Sequence, residues 1–280
     1  MDEYFTASCV SPGIYHIYEN AGVCCTLILG SKSSLLVDTG YGFCDLPAFI
    51  RTLTKLPLII INTHGHLDHS GGNFCFSQAA FIHPDEYAIY NSYQRDKESM
   101  LAFLRKRHAA GKTPAPFPEN FNEEAYLTYK QVPFQPARNG QIFDLGDRIL
   151  EVFFLPGHSK GSLSVFDHMS GTLMAGDTID KSLWMMFDHS APPEVLSARL
   201  QLLKEKFPVR SILASHAKTS YPPEMLDAVL SAIDRRNPEE DSIFVHPRHG
   251  YQALHHKEPV YGIAGVKQIH LVYPFPSAIR

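Results

Sequence analysis

Short runs rich in β-branched and aromatic residues alternate with amphipathic stretches along the chain. "GIYHIYE", "VCCTLIL" and "SSLLVD" follow one another, each bounded by Gly, Ser or Asn, and predict three strands. "CDLPAFIRTLTKL" carries apolar residues at helical spacing and predicts an amphipathic helix. "PLIIIN" follows it, apolar almost throughout, and predicts a fully buried strand. "AAFIHPDE" predicts another short strand, with Pro84 opening a helix at its first turn.

The character changes over residues 94–140. "RDKESMLAFLRKRHAAGK" has a helical pattern with a charged face, and the Pro-rich "TPAPFPEN" cannot continue it. This segment is expected to be an insertion over the surface, and a candidate lid. Strand patterns return at "QIFDLG", "RILEVFFLPG", "GSLSVFD" and "GTLMAGD". The helix "PPEVLSARLQLLKEKFP", the strand "VRSILAS" and the helix "PPEMLDAVLSAIDRR" come next. The tail, 241–280, holds β-rich pieces such as "SIFVH" and "KQIHLVY". The order predicts one α/β (α+β) domain over 1–280: two βα-rich halves stacked sheet on sheet, with helices outside.

Composition narrows the class. The chain has 280 residues, 44% of them hydrophobic, which suits a globular domain with a full core. A formal charge of -4 gives no strong pull toward nucleic acid or an anionic membrane, and neither is expected as a partner. No apolar stretch approaches the length of a membrane span, and the N-terminal sequence does not resemble a secretory signal. The five cysteines form no C-x-x-C pair and are read as free thiols of a reduced, cytoplasmic protein. Vicinal Cys24 and Cys25 are expected to pack as small apolar residues. The fifteen histidines, by contrast, raise the expectation of metal binding.

Many of the coordinating side chains fall at predicted strand ends. "NTHGHLDHSGG" places His64, His66, Asp68 and His69 in one loop after "PLIIIN". His158 follows "ILEVFFL", Asp177 follows "GTLM", and His216 follows "VRSIL". Loops at strand ends can converge while the sheet holds their bases. Imidazole and carboxylate together suit Zn, Fe or Mn better than Ca or Mg. His64, His66 and Asp68 share one parity in an extended backbone and His69 breaks it, so one loop could serve two metal ions. Three nitrogens plus a bridging group is the open coordination of a catalytic metal.

"THGHLDH" matches the H-x-H-x-D-H signature of the metallo-β-lactamase fold, and "GHSKGS", "GDT" and "SH" follow in that family's order. "LLVDTG", with Asp38, resembles its first element, so the resemblance spans residues 12–218. It implies a four-layer αββα sandwich with a dinuclear site in a cleft at one sheet edge. It further implies that His64, His66 and His158 hold one metal, that Asp68, His69 and His216 hold the other, and that Asp177 bridges them. Asp38 would orient the loop and a ligand histidine. Two divalent ions, zinc first and iron or manganese as alternatives, are the implied cofactors.

Within the family, a histidine at position 66 favours hydrolysis over oxygen or nitric oxide reduction, and Asp177 argues against an antibiotic-degrading role. The pattern resembles glyoxalase II and the lactone hydrolases, although the β-rich tail lacks the helical glutathione-gripping domain of glyoxalase II. The expected reaction is attack of a dinuclear-metal-bound hydroxide on a small ester, lactone or thioester, with Asp68 passing the proton. Phosphodiester hydrolysis, a mononuclear-iron persulfide dioxygenase and a non-catalytic metal sensor are the alternatives. Lys160, two positions after His158, could reach an anionic group of the substrate. Trp184, in "KSLWMMFDHS", could wall the cleft against an acyl chain. His246, His249, His255 and His256 are read mostly as surface, with one or two able to line the cleft. The partner expected is a small-molecule substrate, and segment 94–140 could also bury against a second copy in a homodimer.

Overall fold

A computed structural model describes residues 4–129 and 133–276. The first sheet has seven strands in chain order: β1 (Phe5–Ser11), β2 (Ile14–Glu19), β3 (Val23–Leu29), β4 (Ser34–Val37), β5 (Leu58–Ile61), β6 (Ala80–Ile82) and β7 (Phe134–Pro136). Strands β1 to β4 pair antiparallel, and β4 to β7 pair parallel. The chain continues through β8 (Ile142–Asp144), β9 (Ile149–Phe154), β10 (Leu163–Asp167), β11 (Thr172–Gly176), β12 (Ser182–Trp184) and β13 (Ser211–Ala214). Five of these form the second sheet, in the order β13-β11-β10-β9-β8. Strand β12 leaves it and joins β14 (Ser242–Val245), β15 (Gln252–Pro259) and β16 (Gln268–Tyr273) in a third sheet ordered β12-β16-β15-β14.

Alternation along the strands builds the layers. In β4 and β5, Leu35, Val37 and Ile61 face one way, and Leu36 and Ile60 the other. The first set meets Leu150, Val152, Leu163, Val165 and Met174 of the second sheet in a buried cluster between the sheets. The second set packs under Leu46 and Ile50 of helix Leu46–Leu53, and under Leu101 and Leu104 of helix Lys97–Ala109. On the far side, Phe153, Phe166, Leu173 and Ile212 pack against helices Pro193–Lys206 and Met225–Arg235. Three interlayer cores therefore give the four αββα layers. The third sheet adds Leu254, Ile269 and Leu271 to the outer core beside helix Met225–Arg235.

Some boundaries differ from the sequence expectation. Pro84 lies in the turn before helix Glu86–Arg95, where Tyr87 N–H donates to its carbonyl at 3.1 Å. Strand β15, the longest among the described residues, is rich in His, Lys and Glu and carries little apolar signal. Between 94 and 140, Tyr126 of helix Glu123–Thr128 donates from its hydroxyl to the Tyr41 carbonyl at 3.0 Å. Lys97 Nζ donates to the carbonyls of Tyr126 and Leu127 at 2.8 and 3.2 Å. Among the described residues, no helix is long and apolar enough to cross a membrane.

Candidate metal centre

The seven residues that the sequence singled out as ligands converge. His64 and His66 lie in the loop after β5, and His158 in the loop after β9. Asp177 and His216 stand just past the ends of β11 and β13. Parity is not what arranges Asp68 and His69. Residues Leu67–Ser70 form a helical turn rather than extended chain, which brings the His69 ring within 4.0 Å of the His64 ring, centroid to centroid. Three groups result, each with ligand atoms within 4.8 Å of one another: His64, His66 and His158; His64, His69 and Asp177; Asp68, His69 and His216.

Close packing of backbone sets this geometry. Gly65 admits no side chain, because a Cβ there would stand 2.7 Å from the Glu86 carbonyl oxygen. Gly176 has φ +58 and lies so close to Thr63 that a Cβ would meet its side chain at 2.8 Å, which lets Asp177 emerge beside the His64 loop. The fully buried Glu86 carboxylate ties two ligand loops together. It accepts from Gly65 N–H at 2.8 Å, Ser159 Oγ at 2.6 Å and Gly161 N–H at 2.9 Å.

Each histidine has its outer nitrogen engaged and its inner nitrogen aimed at the centre. His158 Nδ1 donates to the Trp184 carbonyl at 2.7 Å, His216 Nδ1 to the Gly22 carbonyl at 2.9 Å, and His69 Nδ1 to Asp38 Oδ2 at 2.9 Å. His64 Nδ1 lies 3.1 Å from Thr63 Oγ1, whose own proton goes to Asp38 at 2.9 Å. His66 is reversed, with Nε2 outward at 2.8 Å from His189 Nε2 and Nδ1 inward at 3.0 Å from His158 Nε2. The inward atoms His64 Nε2 and His69 Nε2, and Asp177 Oδ1 beside them, are buried without a hydrogen-bond partner. Buried polar atoms left unpaired are costly, and their clustering fits a bound cation. Asp177 Oδ2, 3.3 Å from both His69 Nε2 and His216 Nε2 and 3.7 Å from His158 Nε2, has the central position.

Electrostatics divide the cluster. Burial, then the neighbouring imidazoles, pushes the pKa of His64 and His66 well below the ordinary value, so both stay neutral with a lone pair free. Burial lowers His158 as well. His69 is buried too, but the carboxylates of Asp177, Asp68 and Asp38 outweigh that and hold it well above the ordinary value. At the mouth, His216 has a side chain 39% exposed and is raised in the same way by Asp177 and Asp68. His69 and His216 would have to give up these protons to hold a cation.

The centre opens into a cleft of about 380 Å³. Tyr41, Tyr93, Met100, Phe103, Leu104, Trp184 and Phe187 supply apolar walls, so Trp184 lines it. Lys160 is exposed, donates to the Asp188 carbonyl at 3.1 Å, and does not line this cleft. Arg107, Arg248, His246 and His249 do line it. Arg107 belongs to a helical charge run that reads as a solvated face in sequence. Arg248 is neutralised by an ion pair with Asp96. Glu86 and His189 carry no signal in sequence, because each acts on a loop distant along the chain.

Comparisons with known proteins show the family and the fold. A sequence model described as the metallo-beta-lactamase superfamily matches residues 21–198. The acyl-coenzyme A thioesterase MBLAC2 of Gallus gallus is 29% identical over 233 residues, covering 76% of this chain and 81% of that protein. The hydroxyacylglutathione hydrolase GloC of Haemophilus influenzae is 26% identical over 163 residues, covering 55% of this chain and 66% of its own length. A crystal structure of a metallo-beta-lactamase from Erythrobacter litoralis superposes with a TM-score of 0.57 at 15% identity, over 84% of this chain and 99% of that one.

Proposed function

The chain belongs to the metallo-beta-lactamase superfamily, and from that premise we propose that it is a metal-dependent hydrolase of acyl thioesters. The observation that carries the reading is the inward convergence of His64, His66, His158, His69, His216, Asp68 and Asp177, three of whose buried atoms lack a partner. His64, His66 and His158 would hold one divalent ion, Asp68, His69 and His216 a second, and Asp177 both; zinc suits this donor set. Bound there, such ions supply Lewis acidity and lower the pKa of water.

The chain's own residues do the rest. The apolar walls from Tyr93 to Phe187 hold an acyl chain and exclude bulk water from the scissile carbonyl. Asp68, 17% exposed at the floor of the cleft, takes a proton from the attacking water and returns it to the departing sulfur. The C–S bond breaks, a C–O bond forms, and a carboxylic acid and a thiol leave. The Arg107 guanidinium, with no hydrogen-bond or ion-pair partner among the described residues, offers a cation at the rim to an anionic thiol carrier. The names of the two relatives, one acting on acyl-coenzyme A and one on hydroxyacylglutathione, support a thioester in preference to a lactone or simple ester.

The test is hydrolysis by the zinc-loaded protein of a panel: an acyl-coenzyme A, S-lactoylglutathione, an acyl lactone and a phosphodiester. Preference for the thioesters in kcat/KM is expected. Turnover of the phosphodiester alone would overturn the assignment.

A further inference from the structure

His66 can bind a cation through Nδ1 only if its proton sits on Nε2. Two tautomers compete at this ring. In one, Nδ1–H donates to His158 Nε2, 3.0 Å away, and the lone pair that a cation needs is lost. In the other, the proton sits on Nε2 and needs an acceptor outside the cluster. His189 Nε2 lies 2.8 Å from His66 Nε2 and, with its own proton on Nδ1, is the acceptor in place. The His189 ring is itself held, stacked on Phe187 with centroids 5.0 Å apart and planes 4° from parallel. His158 carries its proton on Nδ1, bound to the Trp184 carbonyl, so its Nε2 is the competing acceptor that His189 must outweigh.

We propose that His189 is a positioning residue that fixes His66 in the tautomer with Nδ1 free, and so sets the metal affinity of the His64, His66 and His158 group. The inference rests on the proposal that this group binds metal. His189 touches no substrate in this scheme. It does for His66 what Asp38 does for His69, with a neutral ring in place of a carboxylate.

The test compares three variants of the full chain by competition for zinc against a chelator of known affinity. His189→Phe keeps the stacked ring and removes the acceptor; His189→Leu removes both; His189→Gln offers an amide oxygen in their place. Thermal unfolding of the stripped proteins checks that each folds. The expected result is zinc binding weakened by about 10–100-fold in the Phe and Leu variants and restored to within a few-fold in the Gln variant. Wild-type affinity in the Phe or Leu variant overturns the inference, as does equal loss in all three. A wild-type protein that takes up no zinc refutes the metal-centre reading itself, a result separate from either.

Discussion

Asp38 Oδ2 lies 2.9 Å from His69 Nδ1, and that hydrogen bond turns His69 Nε2 toward Asp177. The same carboxylate accepts from Thr63 N–H at 2.7 Å and Thr63 Oγ1 at 2.9 Å, and Thr63 Oγ1 in turn meets His64. One buried side chain thus orients an imidazole in each of two ligand groups. Asp38 also holds φ 63, a left-handed conformation that Asp and Asn tolerate better than most residues. Asp38→Asn therefore keeps the backbone and removes the charge. Zinc affinity, read by chelator competition, is expected to fall by about 10–100-fold. An unchanged affinity would show that the bond is incidental.

Arg107 faces the cleft without an acidic partner among the described residues. Arg107→Ala should raise KM for an acyl-coenzyme A by about 5–10-fold, the value of roughly 1 kcal/mol of exposed charge pairing, and leave kcat nearly unchanged. The same acyl group on a small uncharged thiol should show no such change. Equal effects on both substrates would remove the residue from carrier recognition.

Glu86 is fully buried and accepts three hydrogen bonds from the two loops that bear His66 and His158. A glutamine there must turn its amide N–H₂ toward one of those donors. Glu86→Gln should cost about 1–3 kcal/mol in a denaturant titration of the stripped protein, and should weaken zinc binding at temperatures where it stays folded. Wild-type values in both measurements would show that the brace is dispensable.

Glu19 gives a pH dependence. Burial pushes its carboxyl up to about 7, although it accepts from Tyr41 N–H at 3.0 Å and the Tyr4 hydroxyl at 2.9 Å. A raised carboxyl keeps its proton in the fold at pH values where the unfolded chain has already lost it. Unfolding therefore releases a proton between the unfolded value of 4.5 and about 7, and this group's contribution to stability falls as pH rises through that window. The loss is on the order of 3 kcal/mol. Glu19→Gln cannot ionise, so its denaturation midpoint should decline less with pH than the wild type's. Parallel curves would refute the shift.

The layers were legible in the sequence wherever a strand had to satisfy two cores or one. "LIII" in β5 is apolar on both faces because one face meets the other sheet and the opposite face meets helices. The ligand cluster was legible because coordinating residues crowd one loop and recur after later strands. Strand β15 was not, since its pattern is polar and its pairing with β16 is a tertiary fact. Nor could spacing reveal the helical turn that carries Asp68 and His69, which overrides the parity of an extended loop. Glu86, Arg107 and His189 reach the site from elements that only folding brings near.

The most direct measurement is a titration of the metal-stripped protein with zinc while thiol release from an acyl-coenzyme A is followed, alongside His158→Ala. The account predicts no turnover without metal, activity that rises and saturates near two equivalents, and little recovery in the variant. Full activity in the stripped protein, or a His158→Ala protein that recovers as the wild type does, would contradict it.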